Sequence, residues 1–299
     1  MKINEKQKNL SLYHKCRRPG DMAMKALIYL SVTVTVGFLL ILLFFVLSNG
    51  LPAIIQNPDF LWTEYNLSAK LTGILPMVIN TVYLIVITLF IAVPIGIASA
   101  IYLTQYAHQG KLVRAIRFTT ETLAGIPSVI FGVFGYAVFV NAFNLKNSIL
   151  AACLTLVFCV LPTIVRSTEE ALIAVPSGYK EGALAMGASK LKVILGIILP
   201  CAMPGILSAV ILSMGRIIGE TAILKFVLSM NGYGMPDNVF GHITQNGVGV
   251  TLSLHLFNSA SQGYAGESWI PYATATILLV LIFILNRLAN VAAKKLRKG

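Results

Sequence analysis

The stretch from Glu181 to Pro200 reads EGALAMGASKLKVILGIILP and is a moderately polar segment between two long apolar runs. Glu, Ala, Leu, Met and Lys make up most of it, and all five are good helix formers. Gly187 interrupts the stretch and Pro200 closes it, and both residue types commonly end helices. We therefore predict two short helices that meet at Gly187.

The composition on either side of this stretch is that of a membrane protein. The chain has 299 residues, of which 57% are hydrophobic and only 11% are charged, with a mean hydropathy of +0.80. Such a balance excludes a soluble globular domain. The formal net charge is +12, but the charges stand at the ends of apolar runs and form no basic domain. The lipid bilayer is therefore an expected partner, and nucleic acid is not.

Six apolar runs are long enough to cross the roughly 30 Å of hydrocarbon in a bilayer. The sequence therefore predicts an all-α integral membrane protein with six transmembrane helices. The first run is too long for the core of a signal peptide, so we expect it to be a retained span. The six runs are Ala26–Leu47, Ile74–Thr104, Leu123–Phe143, Ser148–Val165, Pro204–Met230 and Ile270–Leu288.

Positive charges assign a side of the membrane to each connection. Most of the 23 lysines and arginines lie in the two terminal tails, between the second and third runs, and around Glu181. Cytoplasmic segments carry such an excess, so we expect a multi-pass cell-membrane protein with both termini and the Glu181 loop in the cytoplasm. The predicted organisation is a basic tail (1–25), a first transmembrane helix (26–48), an external loop (49–73), a five-helix transmembrane domain (74–290) with a cytoplasmic loop (167–200) and an external loop (231–268), and a second basic tail (291–299).

Two charges interrupt the fifth run. Arg216 and Glu220 are four residues apart, so we expect them on one helical face, where they are able to pair. A charge at the bilayer centre costs about 3 kcal/mol on insertion scales, so it needs a pathway, a partner or a ligand. The five donors of a guanidinium match a tetrahedral oxyanion. These residues are therefore candidates for a substrate pathway, with a structural ion pair as the alternative.

Other positions carry weaker expectations. Gly215 and Gly219 are one turn apart on the fifth run, which is the spacing of a close contact between two membrane helices. Arg166 follows the fourth run and is expected either to line an inner exit or to be a solvated helix end. Part of the external loop 231–268 is expected to fold over the outer mouth of the pathway.

The spacing around Gly187 is that of a known motif. Glu181, Ala183 and Gly187, followed by Ile-x-Leu-Pro200, resemble the cytoplasmic EAA loop of ABC importer permeases. That resemblance implies a coupling helix that docks onto a separate ATPase subunit. Gly182 stands where that family usually has the first Ala of the motif. The alternative is an ordinary amphipathic cytoplasmic loop.

Three further segments resemble one group of these permeases. RIIGETA, which contains Arg216, Glu220 and Thr221, and GIPSVIFG, residues 125–132, resemble the membrane subunits of phosphate importers. LFNSASQG, residues 256–263, is more similar to the PstA type than to the PstC type. The resemblance implies a type I ABC importer permease fold and translocation of inorganic phosphate by alternating access. It also implies three partners: a PstC-type permease, a PstB-type ATPase dimer and an external PstS-type phosphate-binding protein.

No constellation of residues on this chain indicates catalysis, so it is predicted not to be an enzyme. There is no Gly-x4-Gly-Lys-Ser/Thr phosphate loop, so ATP and its Mg²⁺ are expected on the partner ATPase. The four cysteines and four histidines are scattered, so no metal site and no cofactor is expected on this chain. An ABC permease for another oxyanion (molybdate, sulfate or phosphonate) and a membrane signalling scaffold are the alternatives.

Overall fold

The structure is a computed structural model that describes residues 19–63, 65–66, 71–108, 110–228, 243–244, 249–262 and 268–296. The regular structure among these residues is helical apart from one antiparallel pair of two-residue strands, β1 (Tyr65–Asn66) and β2 (Leu71–Thr72), and short turns and connections join the elements. The described helices are α1 (Pro19–Gln56), a 3₁₀ turn (Pro58–Leu61), α2 (Leu75–Ile101), α3 (Lys111–Ala124), α4 (Ser128–Gly135), α5 (Ile149–Ile173), α6 (Ser177–Ala185), α7 (Lys190–Val193), α8 (Leu199–Gly219), α9 (Ala222–Val227), α10 (Leu252–Gln262) and α11 (Ile270–Leu296).

Three of these helices continue into short π-helical turns, in which the backbone is wider than in an α-helix. The turns are Tyr102–Tyr106 after α2, Tyr136–Ala142 after α4 and Ile194–Ile198 between α7 and α8. Such turns are rare and frequently lie at functional sites.

The predicted multi-pass helical architecture is confirmed. Within the described residues, five stretches are long and apolar enough to cross a membrane, and a bent pair of helices supplies a sixth. The five are Met22–Gln56, Leu75–Tyr106, Ile149–Ile173, Lys190–Gly219 and Ile270–Val291, and the bent pair is Lys111–Ala124 with Ser128–Ala142.

The third span was predicted as a single run from Leu123 to Phe143, but in the structure it is a bent pair of helices. Its two helices, α3 and α4, meet at an angle of 99°. Pro127 stands at the bend; it has no N–H to donate, and it disfavours the helical conformation for the residue before it. Moreover, α3 begins at Lys111, so residues 111–122, expected to be a connecting loop, form a helix instead.

Among the described residues, those from 19 to 48 belong to one compact unit and those from Asn49 to Leu296 belong to a second. In the first unit, α1 is longer than the predicted 26–48, and no side chain from Met22 to Leu47 is buried. A helix that is apolar on all sides and exposed in this way has the surface expected of a lipid-facing span.

The core of the second unit is formed where α2 packs against α5 and α5 packs against α8. Leu84, Leu156 and Ile217 are buried there, one from each helix. A second apolar cluster, which includes Leu103 and Leu172, joins α2 and α5 to the polar stretch that follows α5. Since lipid tails are as apolar as these side chains, close packing rather than exclusion of water stabilises such contacts within the bilayer.

Glycines allow the closest of these approaches. A Cβ on Gly132 of α4 would stand 3.1 Å from the Cα of Ile223 and 3.3 Å from the carbonyl oxygen of Ala222 in α9. By contrast, the space around Gly215 and Gly219 contains no described atom within 4 Å of such a Cβ. The predicted close contact at these two glycines is therefore not made within the described part of this chain.

The contrast between Gly132 and Gly215 gives a first prediction. Gly132→Ala is expected to lower the free energy of unfolding by about 1–3 kcal/mol, because the new methyl group meets backbone atoms that cannot rotate away. Gly215→Ala is the control, and it is expected to be neutral or stabilising since alanine favours a helix by up to about 1 kcal/mol over glycine. Denaturant unfolding of the purified protein in detergent measures both values. Equal losses in the two variants would contradict the packing of α9 on α4.

Candidate substrate pathway and coupling surface

The fifth span is broken at the residues that the sequence singled out. α8 ends at Gly219, Glu220 has an extended backbone (φ −73°, ψ 122°), and α9 begins at Ala222. The prediction of one continuous helix over Pro204–Met230 is therefore wrong. So is the placement of Arg216 and Glu220 on one helical face, because Glu220 lies beyond the end of α8.

Hydrogen bonds to the non-helical residues stabilise this break. The backbone N–H of Ile223 donates to Oε1 of Glu220 at 3.4 Å, so the carboxylate satisfies the start of α9. The hydroxyl of Ser253 donates to the carbonyl oxygen of Glu220 at 2.9 Å. Non-helical backbone at membrane depth is tolerated where protein groups satisfy it in this way. The Gly-Glu-Thr order at 219–221 was the available signal, because glycine commonly follows a helix and threonine commonly precedes one.

Arg216 lies in the last turn of α8 and is half-buried. Its guanidinium lies beside the thiol of Cys159 on α5. Among the described residues, the ion pairs join other side chains, so the expected pairing of Arg216 with Glu220 is not formed. Arg216 therefore lies within one turn of the break and is not paired with a described carboxylate, and Thr221 lies next to Glu220 within that break.

Three polar residues that were not singled out in the sequence also shape this site. The side-chain amide of Asn80 on α2 donates to the carbonyl oxygen of Val250 at 3.1 Å. The hydroxyl of Thr81 accepts from the N–H of Leu252 at 3.0 Å. Ser253 then donates to Glu220, as described above. The position of Asn80 and Thr81 inside a long apolar run was the signal, since polar groups within a membrane usually have a partner.

Two further ionisable side chains, His255 on α10 and Lys225 on α9, follow the break in the chain and differ in charge near pH 7. Burial lowers the pKa of His255 on α10 to about 4, so the imidazole is neutral near pH 7 and adds no positive charge. Lys225 on α9 is exposed, and its Nζ lies 4.5 Å from the centre of the Phe257 ring, a cation–π distance.

Charged side chains also cluster beside α3 and the end of α5. Arg166 contacts Glu121 at 3.1 Å and Glu170 at 3.2 Å, and Arg117 contacts Glu169 at 3.3 Å. These five residues help to line a cavity of about 210 Å³. α5 continues to Ile173, beyond the predicted end at Val165, so Arg166 belongs to a helix. Its side chain is more than half exposed, where an ion pair contributes about 0.2–1 kcal/mol. A role at an inner exit stays a prediction.

The predicted helix break at Gly187 is confirmed, but the second helix is not short. From Lys190 the chain stays helical through α7, the π-helical turn and α8 as far as Gly219, so Pro200 does not end that helix. α6 and α7 are separated by Gly187, whose φ of +82° lies in the left-handed region that glycine readily adopts. Glu181 is exposed on α6, whereas Ala183 is half-buried and packs against the second apolar cluster. Met186 is 88% exposed although it is apolar.

Four exposed apolar side chains recur along this connection: Tyr179, Leu184, Met186 and Leu191. Together with exposed Glu181 they form what we call the coupling surface. A cluster of exposed apolar residues with a charged neighbour is typical of a protein–protein contact. About 25 Å of helix axis, from the start of α8 at Leu199, separates the end of this connection from Arg216. The structure thus places the candidate coupling residues and the candidate pathway residues at opposite ends of one helix.

Gly187 and Gly182 give a matched pair for a second prediction. A Cβ at either position would have nothing within 4 Å, but only Gly187 has a positive φ. Gly187→Ala is therefore expected to cost about 1–2 kcal/mol through backbone strain alone. Gly182→Ala, inside α6, is expected to stabilise by about 0.5–1 kcal/mol. Amide hydrogen exchange across residues 181–195 measures both effects, and faster exchange in both variants would contradict the assigned backbone conformations.

Comparison with known proteins agrees with this geometry. A family model described as "binding-protein-dependent transport system inner membrane component" matches residues 92–298. The probable ABC transporter permease protein YqgI of Bacillus subtilis is 28% identical over 287 residues, which cover 92% of this chain and 95% of that protein. The phosphate transport system permease protein PstA of Xylella fastidiosa (strain Temecula1) is 30% identical over 246 residues, which cover 80% of this chain and 79% of that protein.

A solved structure shares the architecture. In the crystal structure of a bacterial alginate ABC transporter in complex with an alginate pentasaccharide-bound periplasmic protein, one chain matches with a TM-score of 0.64 at 16% identity. The match covers 94% of this chain and 98% of that chain. At such identity the likeness shows the fold alone. The resemblance to permeases of the PstA type, read from the sequence, is confirmed by the relatives at modest identity.

Proposed function

The chain belongs to the family of binding-protein-dependent transport system inner membrane components, and from this premise we propose that it carries inorganic phosphate through the membrane as one permease subunit of an ATP-driven importer. Its fold is that of a type I ABC importer permease, as expected. A multi-pass membrane protein of this family is a transport subunit rather than an enzyme. In the proposed orientation both termini and the coupling surface face the cytoplasm.

The observation that carries the phosphate proposal is the position of Arg216. It stands at the break between α8 and α9 with no ion pair to a described carboxylate. Phosphate at neutral pH is a tetrahedral anion with several acceptor oxygens, and a guanidinium offers it fixed, parallel donors. A relative of 30% identity that carries the name phosphate transport permease supports the same substrate.

Transport through such a site requires weak rather than tight binding. An anion held strongly by Arg216 would leave slowly, so capture at low concentration is better performed by an external binding protein. The residues of the break then stabilise phosphate only while it passes between an outward and an inward opening. Glu220 and Thr221 contribute to this site by shaping its backbone. Glu220 caps α9, and Thr221 immediately precedes the first residue of that helix.

Energy is supplied from outside this chain. The coupling surface, with exposed Glu181 and Met186 on either side of half-buried Ala183, suits the groove of a separate ATPase dimer of the PstB type, which would hold ATP and Mg²⁺. A PstC-type permease would complete the pathway, and a PstS-type protein would deliver phosphate from outside. A permease for molybdate, sulfate or phosphonate is the second candidate, because alginate transport by a protein of the same fold shows that fold does not set the substrate.

Uptake in cells that lack this chain tests the proposal. Labelled phosphate, molybdate and sulfate are supplied in parallel, and the wild-type gene is then restored. Loss and recovery of phosphate uptake alone is the expected result. If uptake of a different oxyanion were lost instead, the assignment as a permease would stand and phosphate would be ruled out as the substrate. Loss of none would overturn transport and favour a signalling scaffold.

A further inference from the structure

The break between α8 and α9 depends on side chains from a distant part of the chain. The carbonyl oxygen of Glu220 accepts a hydrogen bond from Ser253 at 2.9 Å, and Ser253 belongs to the first turn of α10. Val250 and Thr251, which precede α10, are not helical and are buried. The carbonyl oxygen of Thr251 accepts from the N–H of His255 at 2.8 Å, whereas the carbonyl oxygen of Val250 and the N–H of Leu252 need partners from outside α10.

Two neighbouring residues of α2 supply such partners. The side-chain amide of Asn80 donates to the carbonyl oxygen of Val250 at 3.1 Å. The hydroxyl of Thr81 accepts from the N–H of Leu252 at 3.0 Å. Both side chains are 1% exposed, so water does not replace them. An unpaired backbone group at such a depth is disfavoured, and the segment 250–252 is therefore held on α2.

The hydroxyl of Thr81 makes two hydrogen bonds, one as donor within α2 and one as acceptor from Leu252. Its hydroxyl donates to the carbonyl oxygen of Met77, one turn earlier on α2, at 2.7 Å. That bond fixes the hydroxyl hydrogen on its own helix and leaves the oxygen lone pairs for Leu252. The same hydroxyl thus joins the backbone of α2 to the start of α10.

We infer that Asn80 and Thr81 are positioning residues for the substrate pathway: through residues 250–253 they fix the carbonyl of Glu220, and with it the end of the helix that carries Arg216. Neither side chain touches the transported ion in this assignment. The inference rests on the proposed function only where substrate transport is the readout. The alternative is that these bonds merely stabilise the fold, without setting the break.

The test uses a variant of the same shape. Thr81→Val removes the hydroxyl and keeps the volume, whereas Thr81→Ser keeps the hydroxyl. Thr155→Val is the matched control, because Thr155 is also fully buried and its hydroxyl donates to the carbonyl oxygen of Ala151 within its own helix, at 2.8 Å. All three are prepared in the complete transport complex reconstituted in lipid.

The first readout is amide hydrogen exchange over residues 220–225, which contain the break and α9. Thr81→Val is expected to raise the exchange rate there about tenfold, the change that one lost hydrogen bond of ordinary strength produces. Thr81→Ser and Thr155→Val are expected to exchange as the wild type does. Equal acceleration by Thr155→Val, or none by Thr81→Val, would overturn the inference.

The second readout is the kinetics of uptake with labelled phosphate as the probe. Thr81→Val is expected to raise the apparent KM at least about fivefold, while the rate of ATP hydrolysis without substrate stays at the wild-type value. Thr81→Ser restores the KM, which a loss of general stability would not explain. An unchanged KM in Thr81→Val, together with normal wild-type uptake, would overturn the inference.

The two readouts separate this inference from the proposed function. Should the wild type import no phosphate, the phosphate proposal fails while the exchange experiment still decides the role of Thr81. Should Thr81→Val prevent assembly, Ser253→Ala removes the last bond of the same series and is expected to accelerate exchange over residues 220–225 equally. Normal exchange in an assembled Ser253→Ala complex would overturn the inference.

Discussion

Arg216→Ala is expected to reduce phosphate uptake at least about a hundredfold, to background, while the complex still assembles. The variant removes the charge that stands at the break in the fifth span, and hydrogen bonds to a charged group contribute about 1.5–3 kcal/mol each. Because Arg216 forms no ion pair with a described carboxylate, its removal leaves no described carboxylate without its counter-charge. Labelled phosphate uptake, with the amount of assembled complex measured in the same membranes, provides the test.

Two companion variants separate charge from geometry. Arg216→Lys keeps the charge but loses the planar fork, so uptake is expected to fall about tenfold and remain measurable. Arg287→Ala removes a similar charge from an exposed position on α11 and is expected to leave uptake unchanged. Normal uptake by Arg216→Ala would contradict the assignment of the pathway.

Glu181→Lys is expected to uncouple the transporter: ATP hydrolysis stays within about twofold of the wild type, while uptake falls at least about tenfold. Glu181 is exposed on α6, so the substitution leaves the packing of this chain intact. It reverses a charge on the coupling surface, and a reversed charge at an interface usually changes how two partners fit together. Hydrolysis and uptake are measured together in proteoliposomes that contain the complete complex.

Asp59→Lys is the control for Glu181→Lys. It makes the same change in net charge at an exposed position in the 3₁₀ turn after α1, far along the chain from the coupling surface. It is expected to leave both hydrolysis and uptake unchanged. Uptake that survives in Glu181→Lys would rule out the coupling role of α6.

The spans could be predicted because their length and apolar composition are local properties of the sequence. The meeting of α6 and α7 at Gly187 was equally local, since glycine readily adopts a positive φ. Helix interruptions within apolar runs were harder. The bend at Pro127 and the break at Glu220 both fall within runs that were identified by their apolar length, and run length alone does not reveal where a helix is interrupted.

Contacts across the fold were beyond prediction. Asn80 and Val250 are 170 residues apart, and nothing local to either residue indicates the other. For the same reason Glu220 was expected to pair with Arg216, its neighbour in sequence, and instead caps α9 and bonds with Ser253. The identity of the candidate residues was therefore accessible from sequence, while their partners depend on tertiary structure.

The coupling region also touches α2 and its π-helical extension. Nζ of Lys180 donates to Oε1 of Gln105 at 3.0 Å, and Nζ of Lys190 lies 4.5 Å from the centre of the Tyr106 ring. Asn80, near the other end of α2, is bonded to residues beside the break. At 1.5 Å per residue the axis from Asn80 to Gln105 is about 37 Å long. One helix therefore connects the two regions, so a displacement near Lys180 and Lys190 is passed to Asn80 along α2, and Pro94 within α2 is the position at which bending is expected.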